Sequence, residues 1–145
     1  MSILIELERE ALAEYLILDV KMPAAKDLDS DMEWICKSFG FLESRDKEKT
    51  AAKIFKALLE VAKEGNGLSS DKLSEKVGLT RGTMVHHLNK FTQSGLVIRR
   101  EGHYELRGRS LQRTIREIKR DFDRIFENME QVAESIDKNL DLTYR

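Results

Sequence analysis

The 145-residue chain contains one cysteine and one proline. A lone cysteine, Cys36, excludes an intrachain disulfide and any metal site built from several cysteines, and it fits a reducing, cytosolic compartment. With so little proline and 35% charged residues, the chain is expected to be mainly helical. No apolar run is long enough to cross a bilayer, and the acidic start of the chain is unlike a secretory signal. We therefore expect a cytoplasmic protein with no membrane partner.

Motifs that carry catalysis are also missing. The chain has no Ser/His/Asp order, no glycine-rich phosphate loop and no paired carboxylates in a pocket context, so we expect neither an enzyme nor a cofactor. His86 and His87 invite a metal interpretation. Adjacent residues on a helix point about 100° apart and cannot easily share one ion, so we predict no metal site.

The net charge of −1 hides an uneven distribution. Residues 1–49 carry a net charge of −5, residues 50–109 carry +5 and residues 110–145 carry −1. Positive charge in the middle segment favours a polyanionic partner for it. Any lysine-rich surface domain could show the same excess, so the charge needs support from a motif.

The stretch from Leu68 to Arg107 supplies that motif. Ser69 is a good N-cap for a helix running to about Val77, where Leu73 and Val77 share one face. Gly78 predicts the end of this helix, because glycine adopts positive φ without a Cβ clash.

A second capped helix follows, predicted from about Arg81 to Gln93 with Thr80 as its N-cap. Its apolar residues recur at helical spacing and should face the core: Met84, Leu88 and Phe91. The other faces carry hydrogen-bonding and cationic groups, which suit base edges and phosphates. We predict DNA contacts from these faces and from the start of the preceding helix: Ser70, Arg81, Thr83, His86, Asn89 and Lys90.

A short hairpin is predicted next. Leu96 to Ile98 is apolar and β-branched, Glu101-Gly102 fits a two-residue turn, and Tyr104 to Arg107 alternates as a returning strand. Side chains near the turn would meet phosphates or the minor groove: Arg99, Arg100 and His103.

The run from Leu79 to Val97, with its His-Leu pair and its Gly-Leu-Val ending, resembles the recognition helix and first wing strand of ArsR/MarR-type winged-helix regulators. The resemblance covers roughly residues 50–107. It implies a dimeric DNA-binding transcription regulator of archaeal or bacterial type, with His87 as a half-buried structural residue. Many ArsR-type sensors carry a cysteine pair in the helix before the recognition helix, and residues 69–77 have none, so metal sensing is not expected. Winged helices also make protein contacts, and a protein-interaction module in a chromosome or transcription assembly is the alternative.

Beyond the wing, eight apolar residues are spaced alternately by four and three, after Ser110 as N-cap. They form a heptad seam: Leu111, Ile115, Ile118, Phe122, Ile125, Met129, Val132 and Ile136. Such a seam needs a partner helix, and we predict an intersubunit coiled coil that is the main dimer contact. Phe126 and Ala133 widen the stripe, so more than one partner helix fits. The other interpretation is a helix packed back on its own domain.

The N-terminal region is predicted to be helical. The patterns indicate a helix from about Ile3 to Leu18, a short helix from a capping box at Ser30–Glu33 to about Phe39, and a longer helix from about Asp46 to Glu64. Cys36 is either a buried small hydrophobe or a redox switch. Trp34, Phe39 and Phe41 are either plain packing or the lining of a small-molecule pocket.

The predicted fold is mainly α with a small β-wing. It divides into a helical N-terminal extension (1–45), a winged helix-turn-helix DNA-binding domain (46–109), a coiled-coil dimerisation helix (110–137) and a tail (138–145). The predicted function is a sequence-specific, homodimeric repressor. Its partners would be double-stranded DNA, a second copy of the chain and an unidentified small-molecule effector.

Overall fold

A computed structural model describes residues 14–42 and 48–142. These residues form five helices and one antiparallel hairpin, in the order α1 Leu28–Ser38, α2 Thr50–Ala62, α3 Ser70–Val77, α4 Arg81–Gln93, β1 Val97–Arg100, β2 His103–Leu106 and α5 Leu111–Asn139. This is a winged helix-turn-helix with a long C-terminal helix, so the predicted fold class is confirmed. None of the described helices combines the length and the apolar character that crossing a membrane requires.

The helix-turn-helix is built as its sequence predicts. The Ser69 hydroxyl accepts a hydrogen bond from the Lys72 amide at 3.2 Å, which caps α3. Gly78 has a φ of +79° and ends that helix, and the Thr80 hydroxyl caps α4 by accepting from the Thr83 amide at 3.3 Å. These local bonds satisfy backbone groups that would otherwise lack partners at the helix ends.

The core lies between α2, α3, α4 and the hairpin. The predicted inward residues of α4, namely Met84, Leu88 and Phe91, are completely buried. Phe91 contacts Phe55 of α2 and Phe41, with ring centroids 5.9 and 4.7 Å away. Phe41, which follows α1, therefore shares the core of the winged helix.

The wing is slightly longer at its tip than predicted. β1 and β2 pair with Arg100 opposite His103, and the turn residues Glu101 and Gly102 both have positive φ, at 51° and 78°. Two consecutive positive φ angles match the twist of the strands, so the ladder continues up to the turn. Leu68 adds a bridge to Tyr104 on the other edge of β2.

Helix α1 begins earlier than the capping box at Ser30 predicts. The N-cap is Asp27, whose carboxylate accepts from the Ser30 amide at 2.8 Å and from the Ser30 hydroxyl at 3.0 Å. An ionised carboxylate at a helix N-terminus also interacts favourably with the helix dipole, which favours Asp27 over a serine three residues later.

The N-terminal helix is predicted from about Ile3 to Leu18, and its part before residue 14 lies outside the described residues. Its expected last part, Glu14 to Leu18, is not helical. The Leu18 amide donates instead to the Ser38 carbonyl at 2.8 Å, and the Trp34 indole donates to the carbonyls of Val20 and Lys21. These tertiary hydrogen bonds replace the helical ones and hold the segment against α1.

Helix α2 is shorter than the pattern from Asp46 to Glu64 predicts. It begins at Thr50 because Lys49 adopts a left-handed conformation, with φ at 55°, and it ends at Ala62. A helix cannot continue backward through a residue in that conformation. The Lys49 ammonium lies 2.6 Å from the Glu33 carboxylate of α1, which stabilises this junction.

Helix α5 has two different halves. Its first half packs on its own domain: Ile118 is buried at 2% exposure, and Leu111, Ile115 and Phe122 lie against the core. The interpretation as a helix packed on its own domain is therefore correct for this half. The second half and its C-cap, Leu140, are exposed. The large apolar residues there are 49–65% accessible: Phe126, Met129, Val132, Ile136 and Leu140.

We predict that Gly67→Ala destabilises the wing. A Cβ atom at residue 67 would lie 2.3 Å from the Tyr104 carbonyl oxygen, which is bonded to Leu68, so the backbone bridge would have to move. The expected loss is about 1–3 kcal/mol in urea unfolding. Gly82→Ala is the matched control, because a Cβ at that helical position meets nothing within 4 Å. Equal stability of the two variants would contradict the prediction.

Candidate nucleic-acid interface

The outer face of α4 is polar and accessible. Arg81, Thr83, His86 and Asn89 are exposed, and Lys90 is partly exposed. Thr83, His86, Asn89 and Lys90 point away from the buried stripe, because that stripe fixes the rotation of the helix about its axis. Arg81 is in line with the stripe but is accessible because it is the first residue of the helix. Ser70 is partly exposed at the first position of α3, so Ser70, Arg81 and Thr83 lie at the N-termini of the two helices of the helix-turn-helix.

The side chains of the N-terminal turn of α4 are held by local contacts but can still bind a ligand. The Thr80 hydroxyl donates to the Thr83 hydroxyl at 2.9 Å, which leaves the Thr83 proton available for an acceptor. The Arg81 guanidinium lies 3.6 Å from the Asp71 carboxylate, with both side chains about 70% exposed or more. Such an exposed ion pair contributes little energy, so Arg81 can exchange Asp71 for a base edge or a phosphate at low cost.

The arginines of the wing are held by neighbours on β2. The Arg99 guanidinium lies 5.6 Å above the centre of the Tyr104 ring, and the Arg100 Nε lies 3.6 Å from the Glu105 carboxylate. Tyr104 is buried, whereas Arg99, Arg100 and His103 are exposed. The buried ring anchors the hairpin and leaves three donors accessible around its tip.

The segment that forms α4 and β1 carries charge of one sign. The 25 residues from Lys76 to Arg100 contain five lysines and arginines and no aspartate or glutamate. They include the turn before α4, the whole of α4 and β1. A continuous segment without acidic side chains attracts phosphates and releases counterions when it binds them.

Residues 48–100 match a family model described as a helix-turn-helix domain. This match supports a DNA-binding regulator. The match spans a little over a third of the chain, from just before α2 to the end of β1. It contains every residue predicted to contact DNA except His103. No curated protein and no solved structure matches the chain. The ArsR/MarR type stays a prediction.

The histidines of α4 have different environments. His86 is exposed and His87 is half-buried, and their rings meet edge to face with centroids 5.7 Å apart. Within residues 14–42 and 48–142, no group of three His, Cys, Asp or Glu side chains is placed to hold a metal ion.

Cys36 is completely buried, and burial, reinforced by the nearby Glu33 carboxylate, raises its pKa to about 12. A thiol with that pKa is not a reactive thiolate at neutral pH, which favours the interpretation of Cys36 as a packing residue.

Phe39 and Phe41 stack nearly parallel and border a cavity of about 240 Å³ that also reaches Leu16 and Lys90. Trp34 does not line this cavity.

One polar cluster was missed by sequence reasoning. The Asp121 carboxylate of α5 accepts from the Arg107 guanidinium and from the Tyr15 hydroxyl, both at 2.6 Å, and it is only 7% exposed. The available signal was an acid on the inward stripe of α5, since Asp121 follows the buried Thr114 and Ile118 at spacings of seven and three.

The cluster shifts the pKa values of its members. The hydrogen bond from Arg107 lowers the pKa of Asp121, and burial raises the pKa of Tyr15. A carboxyl whose pKa is lowered in the folded state stabilises that state fully above the ordinary carboxyl pKa of about 4. This stabilisation is lost as the pH falls through the lowered pKa.

We predict that the wing contributes to DNA affinity through charge. Replacing Arg99 and Arg100 by alanine should weaken binding to duplex DNA and flatten the plot of log affinity against log salt by up to about 2, since two fewer counterions are released. Titrations by fluorescence anisotropy at several salt concentrations measure this slope. Arg116→Ala with Arg120→Ala, which removes the same charge from exposed positions on α5, is the control. An unchanged slope in the wing variant would place the wing outside the interface.

Proposed function

We propose that this protein is a homodimeric repressor that binds specific sites in double-stranded DNA through α4 and the wing. The observation that carries the proposal is the outer face of α4, which is cationic and hydrogen-bonding, free of acidic residues and continuous with a basic hairpin. A helix of this kind fits the major groove, where its donors and acceptors can read base edges.

The alternative is a winged helix that binds another protein. An apolar or acidic outer face on α4 would favour that function. The observed face carries Arg81, His86, Asn89 and Lys90 instead. These side chains suit guanine, adenine and phosphate acceptors better than an apolar protein surface.

Repression follows from what this architecture requires. A dimer that occupies a promoter site blocks polymerase by steric exclusion, and it needs only its DNA-binding face and its dimer contact. An activator also needs a surface that recruits polymerase. Repression is therefore the simpler mode of action for the two surfaces proposed here.

The distal half of α5 supports a second copy of the chain as partner. Its exposed apolar residues extend over the 15 residues from Phe126 to Leu140, about 22 Å of helix. The positions that flank the seam carry no charge between these residues, since they are Phe126, Asn128, Ala133 and Ser135. Like charges at such positions would repel in a symmetric dimer, so this face is compatible with its own copy.

The dimer contact would also fix the geometry of DNA binding. Two copies of α4 related by a twofold axis would enter successive major grooves about 34 Å apart, one helical turn of DNA. The preferred site should therefore be a pseudo-palindrome.

We predict that selection from a random duplex library recovers such a site. Arg81→Ala should then weaken binding to the selected duplex by about 1–3 kcal/mol, since it removes a base or phosphate contact. Lys138→Ala, which removes the same charge from the last turn of α5, should have little effect. Recovery of no sequence, or equal affinity of the two variants, would contradict the proposed DNA-reading surface.

We predict that Val132→Glu dissociates the dimer. Val132 is 61% exposed on the single chain, so the domain keeps its fold, but a symmetric seam would bury two unpaired carboxylates. An unpaired buried charge costs several kcal/mol, enough to separate the subunits at micromolar concentration. Light scattering gives the mass. Gln131→Glu places the same carboxylate one residue away on the outer side of the helix and should remain dimeric. A dimeric Val132→Glu variant or a monomeric wild type would refute the seam as the subunit contact.

A further inference from the structure

The cluster of Tyr15, Arg107, Glu117 and Asp121, here called the wing-base cluster, joins three distant parts of the chain. Tyr15 comes from the N-terminal segment, Arg107 directly follows β2, and Glu117 and Asp121 belong to α5. The Arg107 Nη1 lies 2.6 Å from Asp121 and its Nε lies 3.3 Å from Glu117. The Arg124 guanidinium also lies near Asp121, at 3.5 Å.

These contacts orient the hairpin as well as stabilising the fold. The Arg107 amide also donates to the Leu96 carbonyl at 3.0 Å, so both the backbone and the side chain of Arg107 are fixed at the base of the wing. A planar guanidinium bound at two of its nitrogens resists rotation, which a single apolar contact does not. The ion pairs are partly buried, since the Arg107 and Glu117 side chains are each 27% exposed and that of Asp121 is 10% exposed. Desolvation offsets much of the attraction in such a pair, so its geometry is the better explanation for its presence.

The position of the wing tip depends on the orientation of the wing base, because the strands between them are short. Each strand has four residues, so the tip lies about 13 Å from the base. A rotation of about 10° at the base would move Arg99 and Arg100 by roughly 2 Å, which is enough to break a hydrogen bond to a phosphate, whose heavy-atom distance is about 3 Å.

We propose that Arg107 and Asp121, supported by Tyr15, are positioning residues that hold the wing at the angle at which it contacts DNA. This inference rests on the proposed function, because it assigns the cluster a role in the same DNA interface. Since α5 also carries the proposed dimer seam, Asp121 is the point at which subunit pairing and the N-terminal segment can influence the wing.

The first test measures the orientation of the wing without DNA. Spin labels on His103→Cys and Arg116→Cys, both at exposed positions, in a Cys36→Ser background report the distance between wing and α5 by pulsed electron paramagnetic resonance. Asp121→Asn should broaden or shift the distance distribution, whereas Asp123→Asn, the same change at an exposed position on α5, should leave it unchanged. An unaltered distribution in Asp121→Asn would overturn the inference, whether or not the protein binds DNA.

The second test asks whether the cluster acts through the wing. Asp121→Asn should lower the affinity for the selected duplex about 5–20-fold, although removing a negative charge by itself favours DNA binding. In the background of Arg99→Ala with Arg100→Ala, the same substitution should cause no further loss. An equal loss in both backgrounds would show a general effect on the fold and would contradict wing positioning. A wild type that binds no DNA, with the spin-label result intact, would refute the proposed function and leave the positioning role of Asp121 established.

Discussion

The burial of one side of α4 is the constraint on which the rest of the structure depends. Met84, Leu88 and Phe91 are inaccessible to solvent, and Phe91 contacts aromatic rings from α2 and from the segment after α1. Turning α4 about its axis would bury Arg81 or Asn89 without a partner and expose the apolar stripe. The core therefore determines which side chains face the solvent, and the candidate DNA-binding surface follows from packing on the other side of the helix.

The wing extends this surface by a different means. It has little core of its own, since its strands are four residues long and only Val97, Tyr104 and Leu106 are buried in it. Its position comes from the bridge to Leu68 on one side and from the contacts of Arg107 at its base. A small hairpin held at its edge and its base is well defined while its tip stays accessible to a ligand as large as a DNA duplex.

Helix α5 uses one heptad seam in two environments. The spacing of its apolar residues is the same from Leu111 to Ile136, yet Ile118 is buried in the core and Val132 is exposed. The seam passes from the domain to open solvent within a single continuous helix of 29 residues. This continuity is what would allow a subunit contact at the far end to be coupled mechanically to the DNA-binding domain.

The helix-turn-helix could be predicted from the sequence because its signals are local. Ser69, Gly78 and Thr80 mark helix ends through bonds to residues within four positions, and the spacing of Met84, Leu88 and Phe91 identifies the inner face of α4. The limits of the N-terminal elements were predicted less well. Asp27, and not Ser30, caps α1, and Lys49 adopts a left-handed conformation that stops α2 from beginning earlier. Leu18 bonds to Ser38 of α1 and not within a helix of its own. Only the tertiary structure could divide the α5 seam into buried and exposed halves, since a heptad pattern specifies that a face will be covered and not what covers it. The same holds for Asp121, whose partners Arg107 and Tyr15 are 14 and 106 residues away along the chain. Contacts at that separation depend on how the elements pack, and no local pattern encodes them.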